Sequence, residues 1–325
     1  MRKYWNNIII EGCNLINTTY GPAGGTIWIR AGEEGTGNLK MKDNYIKKSS
    51  HDETIAIFGK GVVDGVIIEN NTIDFDDTNV EIKSNPVMMY GLECNEIKNI
   101  QLLNNKIKII ANAGFVTIHN ADNFLVSGND FDIISLRDNN NTSYFGADNS
   151  SYTRFIGNTL KLQHNQMADD EIFNNIDEIS NNNIELNTNF VFLSANASKF
   201  SNNLININKT LSGDYRCIYR IRKTTLTKDL LFCDNKIYFN KPQDSDISIR
   251  LTSLDNSYMN NYSLHILNNN IYGEGIQEAN RRYYCYLQDM KDTTSQNIYL
   301  KNNSFGMFTK IGLSGILTTY HFIEE

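Results

Sequence analysis

A short phrase, Asn followed two residues later by Ile, Leu or Phe, recurs along this chain of 325 residues. Its copies begin at Asn14, Asn44, Asn71, Asn105, Asn129, Asn158, Asn182, Asn203, Asn235, Asn269 and Asn303. Most follow an alternating strand such as VIIENN or IYLKNN, and many precede another, such as IDFDD or IKIIA. The apolar runs are short and rich in Ile, Val, Phe and Tyr, with no long stripe of helical period. Such self-similarity demands a repeat architecture, because one unit cannot bury its apolar face alone. The spacing between copies varies from 21 to 34 residues. A leucine-rich repeat holds its period within narrow limits; a parallel β-helix tolerates loops at its corners, because only its strands must stack. The expected fold is all-β, a single-stranded right-handed parallel β-helix (solenoid) of about eleven coils, ~4.8 Å apart in a rod ~50 Å long.

Asn suits a corner of such a coil for two reasons. It tolerates the left-handed backbone of a tight bend, and its amide can bond the Asn of the next coil. The apolar residue two positions later then points into the core. Residues 1–310 are assigned to the β-helix, and residues 311–325, which lack the phrase, to a closing strand or last half-coil.

Composition narrows the partners. With 40% hydrophobic residues and only 3 Pro, a large core is affordable and disorder is not expected. A net charge of −7 argues against nucleic acid and against anionic lipid. No run is long enough to insert into a membrane as a helix. The five cysteines lie far apart, without metal-site spacing, and are read as buried free thiols. MRKYWNNIII carries no apolar core of a secretory signal. A strand-like NNIII so near Met1 implies that something else covers that end of the rod: a further segment, another chain or a subunit interface.

The phrases IIENNTIDF, IQLLNNKIKI and LHILNNNIYG resemble coils of the pectate-lyase-like β-helix superfamily. In style they are most similar to the β-helix domains of bacteriophage tailspikes and pre-neck appendages. That resemblance covers nearly the whole chain; it is specific for fold and nearly silent about chemistry. It implies a virion-surface or extracellular protein, a homotrimer or part of a larger spike chain, with a bacterial surface polysaccharide as partner.

One sheet of such a helix carries a groove. Its candidate strands are residues 26–31, 54–59, 86–91, 115–120 and 142–147. If Ile27, Ile29, Ile55, Ile57, Val87, Met89, Val116 and Ile118 point inward, then Trp28, Arg30, Ala56, Phe58, Met88, Tyr90, Thr117 and His119 point outward. Trp28, Arg30, Phe58 and Tyr90 are the candidate substrate-binding residues, because rings stack on sugar faces while Arg and Tyr supply hydrogen bonds. A second small core under folded-over loops is the alternative for this stripe.

SHDETIAIFG, residues 50–59, resembles the acidic segment of polygalacturonase-type glycoside hydrolases. By that resemblance Asp52 and Glu53 fall on the catalytic acid positions, one to protonate the leaving oxygen and one to activate water. His119 is the groove histidine that would assist. The other family positions are missing: the preceding coil reads GPAGG, and Asn85–Pro86 stands where Gly-His-Gly belongs. A solvated corner turn is the alternative for Asp52 and Glu53. Asp74, Asp76 and Asp77 could hold a cation through oxygen ligands, though a solvated corner is the plainer reading. Neither metal nor cofactor is expected. Three functions follow: a phage-type surface protein that binds a bacterial polysaccharide, with or without hydrolysing it; a non-catalytic spacer or adhesin; or a free-standing polysaccharide hydrolase or lyase.

Overall fold

The computed structural model describes residues 5–16, 26–48, 54–76, 78, 96–111, 116–136, 144–164, 171–188, 192–195, 197–209, 217–221, 229–241, 248–252, 263–273, 283–288, 296–304, 310–314 and 320–324. All of its named elements are β-strands, and all the pairings between them are parallel. A first sheet of 12 strands runs from Trp5–Glu11 to Tyr320–Glu324, and a second of 10 strands from Asn14–Ile16 to Asn270–Gly273. A third of 8 strands runs from Val116–His119 to Lys310–Ser314. Ile27–Ala31 and Ile55–Gly59 form a separate pair. The chain visits the sheets in turn: Glu96–Leu103, Lys106–Ala111, Val116–His119, then back to the first sheet with Ala121–Ser127. That path is a parallel β-helix.

Packing follows the phrase. Its apolar residue forms one column on the second sheet, Ile46, Ile73, Ile107, Phe131, Leu160, Ile184, Ile205, Ile237 and Ile271, which Leu15 and not Ile16 begins in the first coil. Every member except the half-buried terminal Leu15 is buried. Where the coil widens, Phe131, Phe145, Phe155 and Phe173 from all three sheets fill it, with ring centroids 4.8–5.8 Å apart. A buried polar group interrupts this core, in which Tyr144 Oη donates to Ser135 Oγ at 3.1 Å and lies 2.8 Å from His164 Nδ1.

The Asn column is continuous from Asn44 to Asn303. At each of its nine steps the side-chain amide donates to Oδ1 of the next Asn, as from Asn71 to Asn105 at 2.9 Å. The backbone N–H of Asn71 donates to the same oxygen at 2.9 Å, and its Nδ2 also donates to the Met41 carbonyl at 3.0 Å. A buried amide with all these partners satisfied adds no desolvation debt.

Two expectations are corrected here. In the first coil the ladder position is Cys13, whose N–H donates to Asn44 Oδ1 at 3.0 Å, and not Asn14. Asn14 pairs with Tyr45, so the phrase there is one residue out of register. The left-handed residue is also not the ladder Asn but the one before it: Gly12, Asp43, Asn70, Asn104, Gly128, Gly157, Asn181, Asn202, Asp234, Asn268 and Asn302. Bending falls to one residue and bonding to the next, because the ladder amide must stay extended to reach along the axis.

A second left-handed column lies within the first sheet, six residues before the ladder position: Asn7, Asn38, Gly65, Asn99, Asn123 and Tyr152. It creases these strands partway along and reverses their in–out alternation, so that Asp64 and Gly65 both face away from the core between buried Val63 and Val66. Beyond Tyr152 the crease stops and the strands shorten to three residues at Glu178–Ser180 and Lys199–Ser201.

Candidate functional site

Of the groove strands read from sequence, those at 26–31, 54–59, 115–120 and 142–147 overlap the strands Ile27–Ala31, Ile55–Gly59, Val116–His119 and Phe145–Asp148, and the one at 86–91 lies outside the described residues. Ile27, Ile55, Ile57, Val116 and Ile118 are buried, and Ile29 packs half-buried against the core. Alternation then turns Trp28 and Arg30 outward, and Trp28 is 46% exposed. Trp28 pairs in register with Ala56, and Arg30 with Phe58, whose side chain lies outside what is described. Ala56 is a correction. It stands on the outer side of its strand, outside the core cluster, yet is 2% exposed. Ala56 is therefore floor and not contact surface.

Asp52, Glu53 and Tyr90 lie outside the described residues, as do Val87, Met88 and Met89. Trp28 and Arg30 lie on the two-stranded sheet and His119 on the eight-stranded one. Trp28 and Arg30 border a cavity of about 500 Å³, lined also by Ile8, Ile10, Leu15 and Ile29, the inward residues of the first coil.

The site at His119 is built by register. His119 ends its strand opposite Asp148, with Nδ1 3.6 Å from Asp148 Oδ2. Asn175 Nδ2 donates to Asp148 Oδ1 at 3.1 Å, which orients the carboxylate. The imidazole is partly exposed and Asp148 about half exposed. An imidazole held beside an oriented carboxylate is an arrangement that general acid–base chemistry can use. Sequence reading missed Asp148, although it precedes Asn158 by ten residues as His119 precedes Asn129.

The acidic cluster has a structural role. Asp74 sits on the outer face of the second sheet between Lys47 and Lys108, in a column that continues with Asp132, Lys161 and Glu185, alternating in sign. Asp76 Oδ1 accepts from the hydroxyl and N–H of Thr78 at 2.7 and 3.0 Å, and these bonds hold its carboxyl below the usual value. Asp77 lies outside the described residues. Among the described residues no group of three or more His, Cys, Asp or Glu side chains is placed to hold a metal ion. Cys13 and Cys233 are unpaired, and burial pushes the Cys233 thiol up to about 11.

Comparison of the chain with protein-family models, curated proteins and solved structures finds no match.

Proposed function

We propose that this protein binds a bacterial surface polysaccharide along the side of its β-helix, as a surface protein of the phage or prophage spike type. The observation that carries this reading is the pair Trp28 and Arg30. An indole 46% exposed stands two residues from an exposed guanidinium on one strand, backed by a buried strand pair. Strand-mounted aromatics stack on the apolar faces of sugars at little entropic cost, and Arg supplies donors to their oxygens. The coil phrases, similar to those of pectate-lyase-like and tailspike helices, support the class. On this reading the protein works outside the bacterial cell, as a trimer or as part of a larger spike.

The test is retention of purified capsular or cell-wall polysaccharide by immobilised protein. Trp28→Ala should lower retention by about tenfold or more, the usual loss of an aromatic anchor. Retention equal to native in Trp28→Ala and Arg30→Ala removes the site. Sedimentation checks assembly: a monomer at all concentrations counts against the trimer.

The His119–Asp148 pair favours a second reading, hydrolysis of the bound polymer. Chromatography of the incubated polymer would show shortened products, lost in His119→Ala and Asp148→Asn. If instead Asp52→Asn or Glu53→Gln abolishes cleavage while those two keep it, the acidic segment is the centre.

A further inference from the structure

We infer that the step in the first sheet at Tyr152 is a subsite for a neutral pyranose. This rests on the glycan-binding reading above but on a different face of the rod. Every other member of the left-handed crease column is Asn or Gly, the residues that tolerate that backbone. Tyr152 adopts φ 55° and is 71% exposed, so it accepts both backbone strain and an uncovered ring. Strain of this kind persists where function holds it.

The surroundings release the ring from any part in the fold. Elsewhere the column is tied by side-chain amides, Asn38 to Asn7 at 3.1 Å and Asn123 to Asn99 at 2.8 Å. At Tyr152 that bond is made by Arg154, whose Nη2 donates to Asn123 Oδ1 at 2.7 Å. The ladder is complete without Tyr152, and its ring is left over a cleft of about 260 Å³ shared with Arg154, Asp177, Glu178, Lys199 and Asp229.

The lining selects the ligand. Lys199 Nζ already binds Glu178 at 2.7 Å, and Arg154 is engaged by Asn123; Asp177 Oδ2 accepts from the N–H and hydroxyl of Thr153 at 2.9 and 3.2 Å, Asp229 Oδ1 accepts from the Ser263 N–H at 2.8 Å, and both keep further lone pairs and add negative charge. Three carboxylates against two engaged cations disfavour an anionic sugar. Hydroxyl groups suit them, donating to the carboxylates and accepting from Arg154 and Lys199, with the ring face on Tyr152. The cleft holds one ring. In register from Arg154, the outward column continues through Glu178, Lys199, Leu231 and His265 to Tyr299, five steps or ~24 Å along the axis. His265 and Tyr299 stack there with centroids 4.7 Å apart, a second platform for the same chain of sugars.

Saturation-transfer NMR with glucose, galactose, mannose and N-acetylglucosamine at millimolar concentration tests the subsite. In protein that already carries Trp28→Ala, which silences the other glycan site, the expected result is transfer to ring C–H protons of at least one sugar, reduced about tenfold when Tyr152→Asn is added. Tyr152→Asn restores the residue type of the column, so the variant folds and a lost signal reports binding. No transfer to any of the four sugars overturns the proposal. So does transfer unchanged when Tyr152→Asn is added. Transfer lost only in Trp28→Ala also overturns it, while leaving the polysaccharide reading intact. Conversely, polymer retention unchanged in Trp28→Ala with transfer lost in Tyr152→Asn removes the Trp28 site and keeps this one.

Discussion

The buried Asn ladder and the exposed crease column run side by side along the rod, six residues apart in each of the first coils, and tolerate change very differently. In the ladder, Asn44 to Asn269 are all buried and every position between them is Asn. In the crease, six positions hold Asn, Gly and Tyr, and the missing amides are replaced by whatever reaches. Where Gly65 offers no side chain, Asn99 turns to Asp64 Oδ1 at 2.8 Å; where Tyr152 offers a phenol, Arg154 serves. Burial explains the contrast. Without water, a lost partner leaves a polar group unsatisfied at full cost, whereas at the surface solvent fills the gap. The crease can therefore carry a functional residue at one coil, and the ladder cannot.

The sharpest way to break this comparison is Asn129→Ala. It removes the acceptor of the Asn105 N–H and amide, both at 2.9 Å, and the donor to the Leu102 carbonyl at 2.8 Å. Buried groups orphaned at about 1–3 kcal/mol each predict a loss of roughly 3–5 kcal/mol, read as a lower urea midpoint. A loss below about 1 kcal/mol would mean that water enters the ladder and that its uniformity has another cause.

Next in size is Tyr152→Asn, expected to change stability in the opposite direction. Relief of a left-handed tyrosine predicts a gain of about 1 kcal/mol in the same urea experiment. A destabilised variant would show that the ring is part of the fold. Smaller still is Asn123→Gly, which keeps the left-handed backbone but removes the bonds to Asn99 and Arg154. A loss of under ~1 kcal/mol is expected for exposed bonds; a loss as large as that of Asn129→Ala would erase the distinction between the columns.

Much of this was legible before any coordinates. The phrase located the ladder, the inward column and the strands of the third side, because stacking identical amides forces one spacing from corner to strand. It misplaced the first coil, where Cys13 occupies the ladder and Asn14 next to it imitates the pattern. It also merged bending with bonding, since Asn-Asn pairs such as Asn70–Asn71 hide which residue does which. Tyr152 escaped notice because SYTRF reads as plain alternation, whereas the crease inserts one residue and shifts the parity. Counting back from the ladder would have found it: six residues to Tyr152, and ten to both His119 and Asp148. Ala56 could not be found that way, since alternation alone places it on the outer side of its strand.

The smallest effect separates the two columns by acid. From Asn44 to Asn303 the ladder is made of amides and has no titrating member, but the Tyr152 cleft does. Burial alone would raise the Glu178 carboxyl; bonds from Lys199 Nζ and Ser180 Oγ, at 2.7 and 2.9 Å, and the charges of Lys199 and Arg154 outweigh it, leaving it below its ordinary value of 4.5. A carboxyl lowered on folding adds stability that is complete above 4.5 and fades as the pH falls through the folded value below it. As a partly exposed pair its share is small. Hydrogen exchange, corrected for intrinsic rate, should therefore show protection falling as the pH drops below 4.5 at Glu178–Ser180 and Lys199–Ser201, while Asn105, Asn129 and Asn158 hold theirs. Glu178→Gln should abolish the difference. If the ladder amides lose protection over the same range, the two columns unfold together, and the crease draws its tolerance from something other than its own local stability.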